Sequence, residues 1–141
     1  MSNYYTYKSG IGAVGEYQAS GKPFASGSID VNAISSAGTV PCKVEFPNVT
    51  SWISLRNTDQ GNNNDVFVAF SANGLPSQGG TNHFKITDEG EGSYSAGEPL
   101  HLKVTEIWFE GLSTEFDIVA GLTSIETSEI VDNWSGSSGV G

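Results

Sequence analysis

His83, His101 and Cys42 have the widest chemical repertoire of any residues in this chain, and each stands alone. A zinc site needs three or four nitrogen and sulfur ligands at short spacing. One cysteine and two separated histidines do not make that pattern. His101 falls on the polar phase of an alternating stretch and reads as a solvated strand residue. Cys42 alternates with Val40, Val44 and Phe46, which suits a small buried hydrophobe better than a reactive thiol. A single cysteine also excludes an internal disulfide. Serines and acids are plentiful enough to draw a Ser–His–acid triad on paper, but no nucleophile elbow frames one. Glu106, Glu110, Glu115 and Asp117 could supply the paired carboxylates of a glycoside hydrolase. Alternating acids on an exposed strand face of an anionic protein are more simply solubilising, and they are read so here. The loop at 57–65 (NTDQGNNND) offers several oxygen ligands. It departs from the EF-hand pattern, because Gly61 falls where a ligand should sit and no acid follows at the twelfth position. These residues predict no enzyme, no cofactor and no metal centre, with a loop calcium left open.

Trp52 and Trp108 suggest contact rather than catalysis. Trp52 lies on the phase opposite Ile53 and Leu55, and Trp108 interrupts the alternation of Ile107 and Phe109. Two tryptophans on an outer sheet face could stack a sugar. They could equally cover a second apolar layer or a subunit interface, which is the reading preferred. Trp134, in the last ten residues, is a third candidate aromatic contact.

The elements that must hold these residues are strands. Hydrophobic residues make up only 37% of the 141-residue chain and glycine supplies 18 residues, a mix that suits short strands and many turns. Alternation is expected around Ile29–Val31–Ala33, Val40–Phe46, Val49–Arg56, Val66–Ala72 and Phe84–Ile86. The most prominent stretch is 100–122, LHLKVTEIWFEGLSTEFDIVAGL. Leu100, Leu102 and Val104 share one phase, but Ile107 and Phe109 take the other. Either a β-bulge near Thr105–Glu106 restores them to one face, or the strand is buried on both. A turn at 110–113 and the alternation of Phe116, Ile118 and Ala120 complete what reads as a central hairpin. Residues 123–131 are ambiguous between a last strand and one helical turn. Seven or eight short strands with frequent turns predict one all-β domain, an antiparallel β-sandwich of jelly-roll or Ig-like type, over 29–131.

The ends of the chain differ from this body. Residues 1–28 hold four of the five tyrosines, Tyr4, Tyr5, Tyr7 and Tyr17, together with Phe24 and several glycines, and sustain no period. Tyrosine buries much area at low entropic cost, so the segment reads as an extended arm that orders against a partner, the alternative being that it folds back along its own domain. Residues 132–141 read as a flexible tail. The N-terminus has neither a basic flank nor an apolar run, so no secretory signal is expected. No stretch has the roughly 20 apolar residues of a membrane helix. Charge is unevenly spread. Residues 1–57 carry four basic against three acidic side chains, whereas 58–141 carry two against thirteen. Such a body repels phosphate backbones, which argues against nucleic-acid binding.

Three blocks together resemble a known class: GIGAVGEYQASGKPFASGSI (10–29), SWISLRNTD with VFVAFSANGL (51–75), and LHLKVTEIWF with FDIVAGLTSI (100–125). They look like small virion proteins of tailed bacteriophages, in particular capsid decoration (cement) proteins, and the resemblance spans most of the chain. It implies a non-enzymatic structural protein that binds the major capsid protein, self-associates as a trimer or dimer, and stabilises the shell. It also implies assembly in the host cytoplasm and a final place on the capsid surface. A carbohydrate- or host-binding module, or a tail or head–neck protein, would share the same fold.

Overall fold

The structure, a computed structural model, describes residues 21–88 and 98–130. Among these residues, seven strands form two antiparallel sheets: β1 (Lys22–Ile29), β2 (Cys42–Glu45), β3 (Thr50–Asn57), β4 (Val66–Ala69), β5 (His83–Ile86), β6 (Glu106–Gly111) and β7 (Phe116–Leu122). One sheet has the order β1-β7-β3 and the other β2-β6-β4-β5. Their inward phases meet in a single core. Ile53, Leu55, Phe116, Ile118 and Leu122 come from the first sheet, and Val66, Val68, Ile107 and Phe109 from the second. The rings of Phe109 and Phe116 lie 5.6 Å apart across the two layers. The expected all-β sandwich is therefore the fold.

The pairing explains which sandwich it is. β1 pairs with β7, β2 with β6 and β4 with β5, while Ile53 of β3 bridges Leu100, all antiparallel. The chain is thus one long hairpin with its tip between β4 and β5. Rolling that hairpin sets β7 beside β3 and β6 beside β4. With the Leu100 segment counted as a strand at the free side of β3, this is the rolled topology of a jelly roll.

Three expectations are corrected. The stretch 100–122 is not a hairpin, because β6 and β7 lie in different sheets and pair with β2 and β1. The phase slip at Thr105–Glu106 is neither a bulge nor a doubly buried strand. Before it, Leu100 exchanges hydrogen bonds with Ile53 (2.7 and 2.9 Å) and the Val104 carbonyl accepts from the Thr50 N–H at 3.1 Å. After it, the Thr105 carbonyl accepts from Phe46 at 2.8 Å and β6 runs along β2. The slip is where the chain leaves one sheet for the other, which swaps the face that is inside.

Secondly, β1 starts at Lys22, so the last residues of the expected arm belong to the sandwich. Phe24 packs edge-on against Phe46 with ring centroids 5.1 Å apart and joins the core. Thirdly, Val31–Ile34 is one turn of helix (α1) rather than strand. Asp30 caps it, its carboxylate accepting the Ala33 N–H at 2.9 Å, as short polar side chains do at helix starts. Residues 123–130 contain no strand: Thr123 and Ile125 are buried and a 3-10 turn spans Thr127–Glu129. The expected arm residues Tyr4, Tyr5, Tyr7 and Tyr17, and Trp134 with the expected tail, lie outside the described residues.

Candidate functional site

The two outward sheet faces differ in chemistry, and the difference follows from register. On the three-stranded sheet, Pro23 pairs with Gly121 and Gly121 with Trp52, while Ala25 pairs with Val119. These positions alternate with the inward Phe24, Ala120 and Ile53, so they point outward. Pro23 and Ala25 are exposed, Val119 is 39% exposed and Trp52 is half-buried. The result is an apolar stripe that crosses three strands at Pro23–Gly121–Trp52 but only two at Ala25–Val119, where the half-buried Ser54 takes the β3 position, and that ends at the more polar Asp117–Arg56 pair of positions. Asp117 is tied down there, accepting the Ser28 N–H at 2.8 Å.

The four-stranded sheet shows the opposite character. Trp108 stands on its outer face between Lys43 and Ala69. Its indole N–H reaches a Glu106 oxygen at 3.4 Å, and the Lys43 ammonium lies 5.3 Å from the ring centre, a cation–π arrangement. Lys43 also pairs with Glu45 at 2.6 Å and Glu106 at 3.5 Å. The Glu45 carboxylate, more than that of Glu106, pushes the Lys43 pKa up. Trp108 is therefore half-buried under its own neighbours. Since Trp52 and Trp108 belong to different sheets, they form no shared platform. Beside this patch, a groove of about 340 Å³ runs between Glu45, Phe46, Glu106 and the Thr127–Ser128 turn.

The remaining polar residues mostly hold loops. Both oxygens of Asp59 are occupied: one accepts Gly61 N–H (2.7 Å) and the Asn64 amide (2.9 Å), the other Thr114 N–H (2.7 Å) and hydroxyl (2.8 Å). Asn57 donates to the Asn64 carbonyl at 2.7 Å and accepts from the Ser113 hydroxyl at 2.7 Å. The Asn64 N–H meets the buried Asp88 carboxylate at 2.6 Å. The 57–65 loop that looked like a calcium loop thus spends its principal carboxylate on N–H and O–H donors. No group of three or more potential metal ligands gathers among the described residues. Cys42 packs against the core from β2, and burial, followed by the charge of Glu110, pushes its thiol pKa up, away from thiolate reactivity. His101 is exposed, as expected; His83 holds the Gly74 carbonyl at 2.8 Å and meets the Phe67 ring edge-on.

One acid departs from its expected role. Glu110 is not a solubilising surface residue: it is 1% exposed, because the 71–80 loop folds over it and donates the Ser77 N–H at 2.8 Å. Glu115 and Asp117 stand in or beside the other sheet, so the four acids do not converge.

The apolar stripe is the strongest candidate for a functional surface among the described residues. Of its members, sequence reasoning had singled out only Trp52. Pro23, Ala25 and Val119 were legible as outward-facing only once the register was known. No family model, curated protein or solved structure matches the chain. No helix among the described residues is long and apolar enough to cross a membrane, which says nothing of a β-barrel.

Proposed function

We propose that this chain is a structural protein of a tailed-phage virion, a decoration protein that binds the major capsid shell and stabilises it without catalysing a reaction. The observation that carries this reading is the apolar stripe Pro23–Ala25–Val119–Trp52 on the outer face of the sheet that contains β1. The tyrosine-rich segment 1–20 runs straight into that same strand. A contact face and a contact-forming segment would then adjoin, while Glu98, Glu115 and Glu126 of the second half are exposed to water. Jelly rolls build viral capsid and lectin domains alike, so the fold supports the reading only by analogy. The mechanism is mass action: a protein that binds only the assembled shell raises the free energy needed to open it. Self-association into a dimer or trimer would let one unit span neighbouring capsid subunits at the virion surface. A chain of net charge −10 has no affinity for DNA to offer in this role.

The test is co-sedimentation of the purified chain with assembled shells. Deleting residues 1–20, which leaves β1 whole, and separately replacing Val119→Asp should each abolish attachment while the domain stays folded. Attachment that survives both changes overturns the proposal. Quantitative mass spectrometry of virions should find copy numbers in fixed ratio to the shell protein. A low number fitting a single ring would point to a tail or head–neck position instead.

A further inference from the structure

On the outer side of the four-stranded sheet lies a cavity of about 230 Å³, lined by Gly38, Asp65, Phe67, Pro76, Glu110 and Leu112 among others. Two carboxylates line it, and each is half satisfied. Glu110 Oε1 accepts the Ser77 N–H, but Oε2 is buried and meets no hydrogen-bond partner. Asp65 Oδ2 lies 3.2 Å from the Lys85 ammonium, while Oδ1 is likewise buried and unpartnered. The Lys85 ammonium is paired with Asp65 and not with Glu110. Buried charge is costly unless a counter-charge and donors complete it.

The walls say which cation would do so. Calcium wants six to eight oxygens. Two of the nearby carbonyls already accept hydrogen bonds: that of Asp65 from the Leu112 N–H at 3.1 Å, and that of Gly111 from the Ser35 hydroxyl at 3.0 Å. Phe67, Pro76 and Leu112 present carbon instead. Such walls suit a cation on an alkyl stem, with an aromatic ring at hand for cation–π contact. Guanidinium in particular offers a fork of N–H donors to oxygens that lack one. The volume corresponds to roughly eight waters at about 30 Å³ each, room for such a head and a short stem. Leu112, 41% exposed, lies at the rim. Gly111 lets the strand approach closely enough to close one side, since a Cβ there would collide with the Asp65 carbonyl oxygen.

We propose that this cavity is a binding site for an alkylguanidinium or alkylammonium group, held between Asp65 and Glu110 with its stem along Phe67, Pro76 and Leu112. The site does not depend on the virion reading above. Titrating n-butylguanidinium into the ¹⁵N-labelled full chain should shift the amide signals of Gly38, Phe67 and Leu112 saturably. Glu110→Gln keeps an acceptor for Ser77 and should weaken binding at least about tenfold, the scale expected when one member of a buried charge pair is lost. Glu126→Gln, at an exposed position outside the cavity, should bind as wild type does. Leu112→Lys leaves both carboxylates in place and should abolish binding by filling the cavity with its own ammonium, which keeps the test valid if Glu110→Gln does not fold. An arginine flanked by glycines in a blocked tripeptide separates the two sources of the ligand. Binding of the tripeptide makes the cavity a receptor for a protein side chain, and binding of butylguanidinium alone makes it a site for a free small cation. No saturable shift in wild type, equal binding in Glu110→Gln and Leu112→Lys, or a response to calcium chloride but not to the organic cation would overturn the proposal.

Discussion

Asp59 accepts four hydrogen bonds from residues on both sides of the β3–β4 and β6–β7 connections, and stability should depend on its charge. Burial alone raises the pKa of its carboxyl. The Asn64 amide, the Thr114 and Gly61 N–H groups and the Thr114 hydroxyl together outweigh that and hold it down, from 3.8 to about 2. Because the folded value lies below the unfolded one, the contribution is fully present above pH 4 and is lost as pH falls through the folded value. The difference amounts to roughly 2 kcal/mol. Urea midpoints of the wild type should therefore drop between pH 4 and pH 2. Asp59→Asn would turn an NH₂ toward donors and cost roughly 2–3 kcal/mol at pH 7, with the acid-dependent drop reduced. An unchanged midpoint in Asp59→Asn at neutral pH would show that the four bonds contribute nothing net.

Strands and turns were readable as elements because period-2 alternation reports which residues face inward. It does not report which strand lies alongside, and that is where the 100–122 stretch misled. Turn-forming residues at 110–113 fit a hairpin as well as they fit a crossing between sheets. The phase slip at Thr105–Glu106 was the visible sign of the crossing, but its meaning depends on Thr50, far away in sequence. The Thr50 hydroxyl donates to the Leu102 carbonyl at 2.6 Å and accepts the Val104 N–H at 3.0 Å, pinning the segment just before it switches sheets. Thr50→Val should thus cost roughly 1–3 kcal/mol, more than an ordinary buried hydroxyl, because it strands a donor and an acceptor together. Chemical denaturation measures this directly. At the other end, the start of β1 was hidden by glycine and serine neighbours, while the Asp30 cap that signals α1 was present but outweighed by Ile29–Val31–Ala33 alternation. Burial of Glu110 was not legible, since it depends on the 71–80 loop lying over the sheet. Phe24 gives the element-level check. Phe24→Ala should cost roughly 2–3 kcal/mol, the lower part of the range for removing a core phenylalanine, because Phe24 is half-buried. Removing residues 1–28 should unfold the domain, whereas removing 1–20 should leave its circular dichroism spectrum and melting cooperativity intact.

At the scale of the whole molecule, the rolled hairpin orders its own assembly. β4 and β5 are the paired strands closest in sequence, β2 and β6 lie further apart, and β1 and β7 furthest of all. Closing a long loop costs entropy before any contact repays it. Each pairing formed from the tip shortens the loop that the next must close, so the cheapest route zips from β4–β5 toward β1–β7. Such non-local sandwiches fold on the millisecond-to-second scale. Trp52 on β3 and Trp108 on β6 provide fluorescence probes of the two sheets. In stopped-flow experiments Val68→Ala, at the inward face of β4, should chiefly slow refolding. Phe24→Ala, in the strand that docks last, should chiefly accelerate unfolding and leave the refolding rate close to wild type. The reverse partition would mean that the chain closes from its ends. The sandwich would then be nucleated at β1–β7, and the segment preceding β1 would be anchored before the tip had formed.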